Sequence, residues 1–309
     1  MTINLNGRTA IVTGAGGGLG RAHAHALARH GARVVVNDLS AEQAECVAAE
    51  ICDVGGEAFG YAASVNDEAA VAAMVDAVLG RWGAIDILVN NAGILRDKSF
   101  AKMDLADFRL VLDVHLMGAV LCTKAVWDHM RERAYGRILF TTSSSGLYGN
   151  FGQANYGAAK MALVGFMQTL GLEGAKYDIR VNCLAPSAAT AMTGDIYSEE
   201  QLAALAPDLV SPAVVALCAQ DAPTRRILLA GGGSFEAAHI TMTRGRHFGG
   251  GAGIAEAVAA HMEALADHSG EFVPHEGFEQ SRYELELAGF DTGRAGTAPV
   301  ALSEVAALP

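Results

Sequence analysis

Apolar runs of strand length alternate with alanine-rich stretches of helical period along most of this 309-residue chain, and no other feature constrains its fold as tightly. Thr9 to Val12 reads as a strand, Arg21 to His30 as a helix and Arg33 to Asn37 as a second strand, which makes a βαβ unit. The alternation predicts a helix over Ala41 to Cys52, a strand over Ala58 to Ala62, a helix over Glu68 to Arg81 and a strand over Ile85 to Asn90. A long helix through Phe108 to Arg133, a strand at Arg137 to Thr142, a helix at Ala154 to Tyr177 and a strand at Arg180 to Leu184 follow. Ser211 to Ala219 reads as one more helix and Ile227 to Ala230 as a final strand. Strands that are apolar throughout are those buried on both faces, so the expected fold is α/β: a doubly wound parallel sheet of Rossmann type with a C-terminal extension.

The pattern weakens after Pro186, and beyond Gly231 to Gly233 only Ile254 to Ala266 has helical period. We therefore expect residues 1–232 to form the sheet domain and 233–309 an extension making substrate or subunit contacts. Hydrophobic residues make up 51% and charged residues 18%, which excludes intrinsic disorder. The formal charge is −12 and no basic run could track a phosphate backbone, so nucleic acid is not an expected partner. Met1 to Val12 has no basic segment followed by a long apolar stretch, and no later run reads as a bilayer span. The expectation is a soluble cytoplasmic protein without membrane insertion. Cys46, Cys52, Cys122, Cys183 and Cys218 follow no ligand-like spacing, so neither a disulfide framework nor a metal site is expected.

Thr13-Gly14-Ala15-Gly16-Gly17-Gly18-Leu19-Gly20 lies between the first strand and the first helix. Glycine there permits a tight turn, lets the backbone approach a pyrophosphate and lets helix pack on strand, and the helix N-terminus offers unpaired N–H groups. Gly14, Gly18, Leu19 and Gly20 are thus candidate dinucleotide contacts. Asp38 ends the second strand about 20 residues further on, where a carboxylate would bind a ribose 2′-hydroxyl and repel a 2′-phosphate, favouring NAD over NADP. The other reading of Asp38 is a cap for the helix beginning near Ala41.

Tyr156 and Lys160 stand one helical turn apart on one face. A nearby ammonium and the positive nicotinamide of an oxidised cofactor both favour phenolate, which would bring the Tyr156 pKa down toward the range of a general base for alcohol oxidation. Ser143, thirteen residues upstream at a strand end, could hydrogen-bond the substrate oxygen. Without the glycine loop the same pair would read as an exposed helix face.

With Thr13 to Gly20, Asn90-Asn91-Ala92-Gly93, Ser143, Tyr156 and Lys160 in this order, residues 7–230 resemble the short-chain dehydrogenase/reductase family. The resemblance implies that Lys160 also holds the nicotinamide ribose, that Asn91, Ala92 and Gly93 line the cofactor cleft and that Pro186 to Thr190 meet the carboxamide. From residue type alone, Asn90 to Gly93 is only a turn. The stretches Asn90 to Phe100, Val114-His115-Leu116 and Ser145 to Tyr156 are further similar to the dehydrogenase part of the peroxisomal multifunctional enzymes of type 2. That likeness implies NAD-linked oxidation of (3R)-hydroxyacyl-CoA to 3-ketoacyl-CoA, for fatty or steroid side-chain thioesters, by a stand-alone relative without hydratase and lipid-carrier parts. A 17β-hydroxysteroid or other free secondary alcohol is the alternative substrate. The family also implies a homodimer or homotetramer formed through the helices Phe108 to Arg133 and Ala154 to Tyr177.

Several positions depart from the family pattern. His115 stands where the family usually has Asn, and it either anchors a proton-relay water or is a satisfied buried histidine. Ser64-Val65 replaces the usual Asp-Val at the third strand's end, so an adenine contact is expected at Ser64 and Val65. Pro186-Ser187 replaces Pro-Gly, and Thr190 remains the expected carboxamide contact. Tyr148 and Met192 either line the substrate pocket or pack, and His239, Arg244, Arg246 and His247 either meet CoA phosphates or form a solvated or subunit face.

Overall fold

The alternation read from sequence becomes one eight-stranded sheet in a computed structural model that describes residues 3–189 and 198–292. Its strands are β1 (Thr9–Thr13), β2 (Arg33–Asp38), β3 (Glu57–Ala62), β4 (Ile87–Asn90), β5 (Gly136–Thr141), β6 (Ile179–Ser187), β7 (Ile227–Gly231) and β8 (Ser234–Ala238). They lie in the order β3-β2-β1-β4-β5-β6-β7-β8, parallel except for the β7–β8 hairpin. The doubly wound parallel sheet is borne out, and the eighth strand is an addition that the tail's weak periodicity did not predict. Every residue of β1, β4 and β5 is buried, which is why their centres, Ala10–Val12, Ile87–Val89 and Ile138–Phe140, read as apolar runs.

Two apolar layers cover the sheet. On one face α1 (Gly18–Arg29), α2 (Ala41–Asp53) and α9 (Ser211–Leu217) bury Leu27, Val47, Ile51 and Val214 against Val12, Val34 and Val36. On the other, α3 (Glu68–Trp82), α5 (Gly118–Glu132) and α7 (Ala154–Gly174) bury Met74, Val126, Leu163 and Met167 against Ile11, Val35 and Leu88. Caps set where helices begin: the Asp67 carboxylate accepts from the N–H groups of Ala69 and Ala70, and Ser40 Oγ from that of Gln43. Between β4 and β6 lie also α4 (Leu105–Leu112) and α6 (Ser144–Tyr148), and α8 (Glu199–Ala204) precedes α9.

The helix expected as continuous over 108–133 is interrupted by a π-helical turn, Asp113–Met117, joining α4 to α5. Two stretches, Leu105–Glu132 and Glu199–Leu217, pass the length and hydropathy test for a membrane span, which corrects the expectation of none. In the first, Ala119, Cys122, Val126 and Met130 face the buried layer on the sheet. The second is divided among α8, a 3-10 turn and α9, with Pro207 and Pro212 between or at their starts.

By contacts the chain divides into Met1–Ala238 and His239–Pro309. In the second unit Met242 bridges Phe272 in antiparallel fashion, Phe272 is buried, and Tyr283 Oη donates to the Arg244 carbonyl at 2.8 Å. The Arg244 guanidinium stacks 4.8 Å from the Phe272 ring centroid. Helices α10 (Ile254–Ala260), α11 (Met262–Leu265) and α12 (Phe278–Leu287) complete it.

At the amino ends of β5 and β6, Arg137 is wholly buried. It donates to the carbonyls of Gly136, Asp178, Ala219 and Gln220, pairs with the Asp178 carboxylate at 3.1 Å, and stacks on Tyr135. Arg137→Ala would orphan these acceptors and leave a cavity, so it should lower the unfolding free energy by at least about 3 kcal/mol. A urea midpoint that moves by less than the equivalent of about 1 kcal/mol would contradict this account.

Candidate active site

The strand order reverses between β1 and β4, and the cleft opened at the carboxyl ends of the strands is where a doubly wound sheet binds its ligand. Here the cleft has a volume of about 610 Å³. It runs from Gly14, Gly18, Leu19, Gly20 and Asp38 past Asn91, Ala92 and Gly93 to Ser143, Tyr156, Lys160 and Pro186. The glycine loop and the Ser, Tyr and Lys candidates, which are far apart in sequence, thus share one cavity.

The loop's glycines are required by contact as well as conformation. Gly14 has φ +62, and a Cβ there would sit 2.8 Å from the Ala92 Cα. A Cβ at Gly20 would strike the Gly14 carbonyl. Thr13 and Asn91 fasten this turn to the end of β4: Thr13 Oγ1 accepts from the N–H groups of Asn91 and Ala92, and Asn91 Nδ2 donates to the carbonyls of Thr13 and Gly14. Gly17, which precedes α1, caps it with no side chain, and the first turn carries no acidic residue. A helix N-terminus with free donors beside a cradle that a Cβ would fill suits a pyrophosphate, so the residues present fit a dinucleotide.

Asp38 separates its two readings geometrically. The cap of α2 is Ser40, while Asp38 Oδ2 accepts from the Gly16 N–H at 2.9 Å and Oδ1 from the Ser40 N–H at 3.2 Å. The carboxylate therefore belongs to the glycine loop's side of the cleft. Ser64 and Val65 do not line this cavity: Ser64 Oγ bonds Asn66 at 2.5 Å, and Val65 borders a separate small void. Thr190 and Met192 lie outside the described residues. Tyr148 is exposed and does not line the cleft.

Ser143 follows β5 and caps α6, its Oγ accepting from the Ser145 N–H at 3.1 Å. That acceptance leaves the hydroxyl proton to be donated, and a hydrogen bond from Ser143 favours the Tyr156 phenolate. Lys160 sits on the buried stripe of α7 with Ala159, Leu163 and Val164, and Tyr156, one turn earlier, is half-buried. Lys160 Nζ donates to the Thr141 carbonyl at 2.6 Å and lies 5.4 Å from the Tyr156 ring centroid. Burial lowers the Lys160 pKa to about 7.

An ammonium and an oxidised nicotinamide are together expected to lower the Tyr156 pKa; in the protein alone it stands above its ordinary value. Burial pushes the phenol up, Ser143 pulls it down in part, and the Asp97 carboxylate pushes it up again. The ammonium is directed at the Thr141 carbonyl, and its own charged form is disfavoured by burial. An ammonium so poorly solvated gains from any anion formed beside it, so phenolate at Tyr156 and charge on Lys160 would support each other.

The π-helical turn aims His115 at the cleft. Its Nε2 lies 2.8 Å from the Ile94 carbonyl and 3.0 Å from the Ile94 nitrogen, and its ring meets Tyr156 edge-on with centroids 5.2 Å apart. Burial and the nearby Lys160 lower its pKa to about 3, so the imidazole is neutral. Its Nδ1 and Asn90 Oδ1 are buried without a partner, and both residues border, with Lys160, a void of about 10 Å³, room for about one water. Gly93 has no Cβ to collide with this imidazole.

Residue type alone did not single out Asp97, Asn150 and Gln153, which also line the cleft. Arg96-Asp97-Lys98 looks like a solvated charge run, and Asn150 and Gln153 look like loop polar residues. Only the closeness of 97 and 153 in space distinguishes them.

A family model described as short chain dehydrogenase matches residues 8–201. A Mycobacterium tuberculosis protein named as a short-chain type dehydrogenase/reductase is 45% identical over 273 residues, spanning 85% of this chain and 95% of that protein. The peroxisomal hydratase-dehydrogenase-epimerase of Neurospora crassa is 50% identical over 223 residues, 72% of this chain but 24% of that enzyme. The structure of full-length peroxisomal multifunctional enzyme type 2 from Drosophila melanogaster superposes with a TM-score of 0.80 at 35% identity, covering 94% of this chain and 51% of that one. The resemblance read from sequence is borne out.

Gly93→Ala should drive the imidazole of His115 off Ile94 and destabilise the protein. The double variant Gly93→Ala/His115→Ala removes the collision and should recover part of the loss. A cycle of urea midpoints should give a coupling of about 0.5–3 kcal/mol, and strict additivity would show that the two positions act separately.

Proposed function

This chain belongs to the short-chain dehydrogenase/reductase family, and on that premise we propose that it oxidises (3R)-hydroxyacyl-CoA thioesters to 3-ketoacyl-CoA with NAD, acting on fatty or steroid side-chain esters. One observation carries the redox reading: Ser143, Tyr156 and Lys160 line the same cavity as the glycine loop and Asp38. The thioester reading rests on the similarity to the multifunctional enzymes, of which this chain spans only a part.

NAD, when bound, supplies the hydride acceptor. Gly14, Gly18, Leu19 and Gly20 would hold the pyrophosphate, Asp38 the adenosine ribose, and Asn91, Ala92 and Gly93 the wall beside the nicotinamide half. Ser64, Val65 and Thr190 stay in the proposal as adenine and carboxamide contacts. Tyr156 Oη takes the proton of the substrate hydroxyl as its carbon gives up hydride, so one C–H and one O–H bond break and a carbonyl forms. Ser143 donates a hydrogen bond to the substrate oxygen and keeps it within reach of the phenol. Lys160 holds the nicotinamide ribose and stabilises the phenolate. His115, neutral and bonded to Ile94, holds the wall of the cleft in place. Subunit association through α5 and α7 belongs to the same reading, and so do substrate or subunit contacts from the extension.

Appearance of NADH with a (3R)-hydroxyacyl-CoA tests the reading, and turnover of free alcohols or hydroxysteroids alone would overturn the thioester assignment. Tyr156→Phe should lower kcat by about 10²–10⁴-fold with cofactor affinity retained. Because burial raises the Tyr156 pKa, oxidation should gain up to about tenfold per pH unit below that pKa, while the reverse reduction, which uses the protonated phenol, should stay flat there and fall only above it. A flat oxidation profile would argue against Tyr156 as the base.

Asp38→Ala should reduce the preference for NAD over NADP by at least about tenfold in kcat/KM, since it removes a hydroxyl acceptor and a charge opposing the 2′-phosphate. An unchanged ratio would return Asp38 to a purely structural role.

A further inference from the structure

We propose that Asp97, held by Gln153, is a specificity-determining residue that selects a neutral acyl group beside the reacting carbinol and rejects a free carboxylate. The inference rests on the proposed function and names the feature by which this site would distinguish a thioester from the corresponding acid.

Asp97 lines the cleft that Ser143 and Tyr156 line. Its position is built. Gln153 Nε2 donates to Asp97 Oδ2 at 2.6 Å, and Gln153 immediately precedes α7, three residues before Tyr156. The segment carrying Asp97 is tied to the same stretch twice more: the Lys98 N–H donates to the Gly152 carbonyl at 2.9 Å, and Asn155 Nδ2 to the Arg96 carbonyl at 3.0 Å. The carboxylate therefore holds a set place relative to the phenol.

Its charge is not matched by its neighbours. Arg96 and Lys98 both turn to Asp107, at 3.7 and 3.9 Å, and among the described residues no ion pair to Asp97 is formed. The negative charge is felt at Tyr156, whose phenol it helps to keep protonated. Gln153 Nε2 is engaged with Asp97, and its Oε1 is buried with no partner among the described residues. This side of the cleft thus presents the Asp97 carboxylate.

A 3-hydroxy acid carries its carboxylate two bonds from the carbinol carbon. With the hydroxyl at Tyr156, that carboxylate enters the field of Asp97, which is itself exposed at the cleft. A thioester at the same place is uncharged, and its amide-bearing thiol arm offers an N–H donor to an acceptor-lined wall. The discrimination is repulsive, which is how binding sites commonly reject an analogue of equal size.

The test compares a (3R)-hydroxyacyl N-acetylcysteamine thioester with the free (3R)-hydroxy acid of the same chain length, neither of which carries CoA phosphates. The wild-type protein should favour the thioester in kcat/KM, and Asp97→Asn should narrow that preference by about tenfold or more, chiefly through a lower KM for the acid. Asp97→Glu, which keeps the charge, should retain the preference. Raising ionic strength should narrow the wild-type ratio but not that of Asp97→Asn, a response that a merely structural role would not give. An unchanged ratio in Asp97→Asn overturns the proposal. Failure of the wild type to oxidise any thioester overturns the proposed function instead. In that case the ratio is read on its neutral alcohol substrate and the carboxylate-bearing analogue, and an unchanged ratio there overturns the role of Asp97 independently.

Discussion

A lysine ammonium buried on the sheet-facing stripe of α7 is the constraint on which the rest of the site depends. Lys160 stands among Ala159, Leu163 and Val164, where an apolar residue would pack with less cost, and the Thr141 carbonyl is its hydrogen-bond acceptor. Thr142 Oγ1 donates to the Lys160 carbonyl at 2.7 Å, so the carboxyl end of β5 grips both the side chain and the backbone of this residue. That grip fixes the rotation of α7 about its axis. Tyr156, one turn earlier on the same face, is thereby turned toward Ser143 at the start of α6. A charge that is poorly solvated, with its pKa lowered to about 7, responds strongly to whatever anion forms beside it. Burial that weakens the fold locally is also what makes the pair electrostatically sensitive.

The second anchor is at the opposite wall. Thr13 and Asn91 tie the turn after β1 to the turn after β4 through four hydrogen bonds, at the point where strand order reverses. The glycine loop is therefore held by the side chains of Thr13, Asn91 and Asp38, and no side chain caps the N-terminus of α1. A rigid cradle on one wall and a gripped helix on the other set the distance that a substrate and cofactor would have to bridge.

What was legible in the sequence was what short-range physics writes into it. The centres of β1, β2 and β4 are buried on both faces and so are apolar, and the glycine run between β1 and α1 is required by contacts with Ala92 and by its own backbone. The features that could not be read depend on relations between distant segments. Nothing in Asp113 to Met117 marks a π-helical turn, because an extra residue in a helix leaves the apolar pattern nearly intact, yet that turn is what brings His115 to Ile94. Asp38 looked equally able to cap α2, and only the placement of Gly16 opposite it and of Ser40 at the cap distinguishes the two. The reading of Tyr156 weighed the attraction of an ammonium and omitted desolvation, which acts in the opposite direction and is the larger influence here. Strand β8 is exposed from Ser234 to Ala237, so it lacks the buried apolar run that marks β1, β2 and β4.

The cleft is electrostatically polarised along its length. Lys160, its pKa lowered to about 7 by burial, lies at its base, Asp97 presents a carboxylate on the substrate side, and Ser143 and Asp97 act on the phenol of Tyr156 in opposite directions. Negative charge on the Tyr156 oxygen is favoured from the Lys160 side and opposed from the Asp97 side. The same gradient disfavours a second negative charge on the substrate side. A group that keeps Tyr156 protonated in the resting protein thus has two consequences: it raises the barrier to forming the base, and it makes the site sensitive to the charge of whatever lies next to the reacting carbon. A neutral acyl derivative avoids the second penalty, so the arrangement favours substrates in which a carboxyl group has already been converted to an uncharged ester, thioester or amide before oxidation takes place.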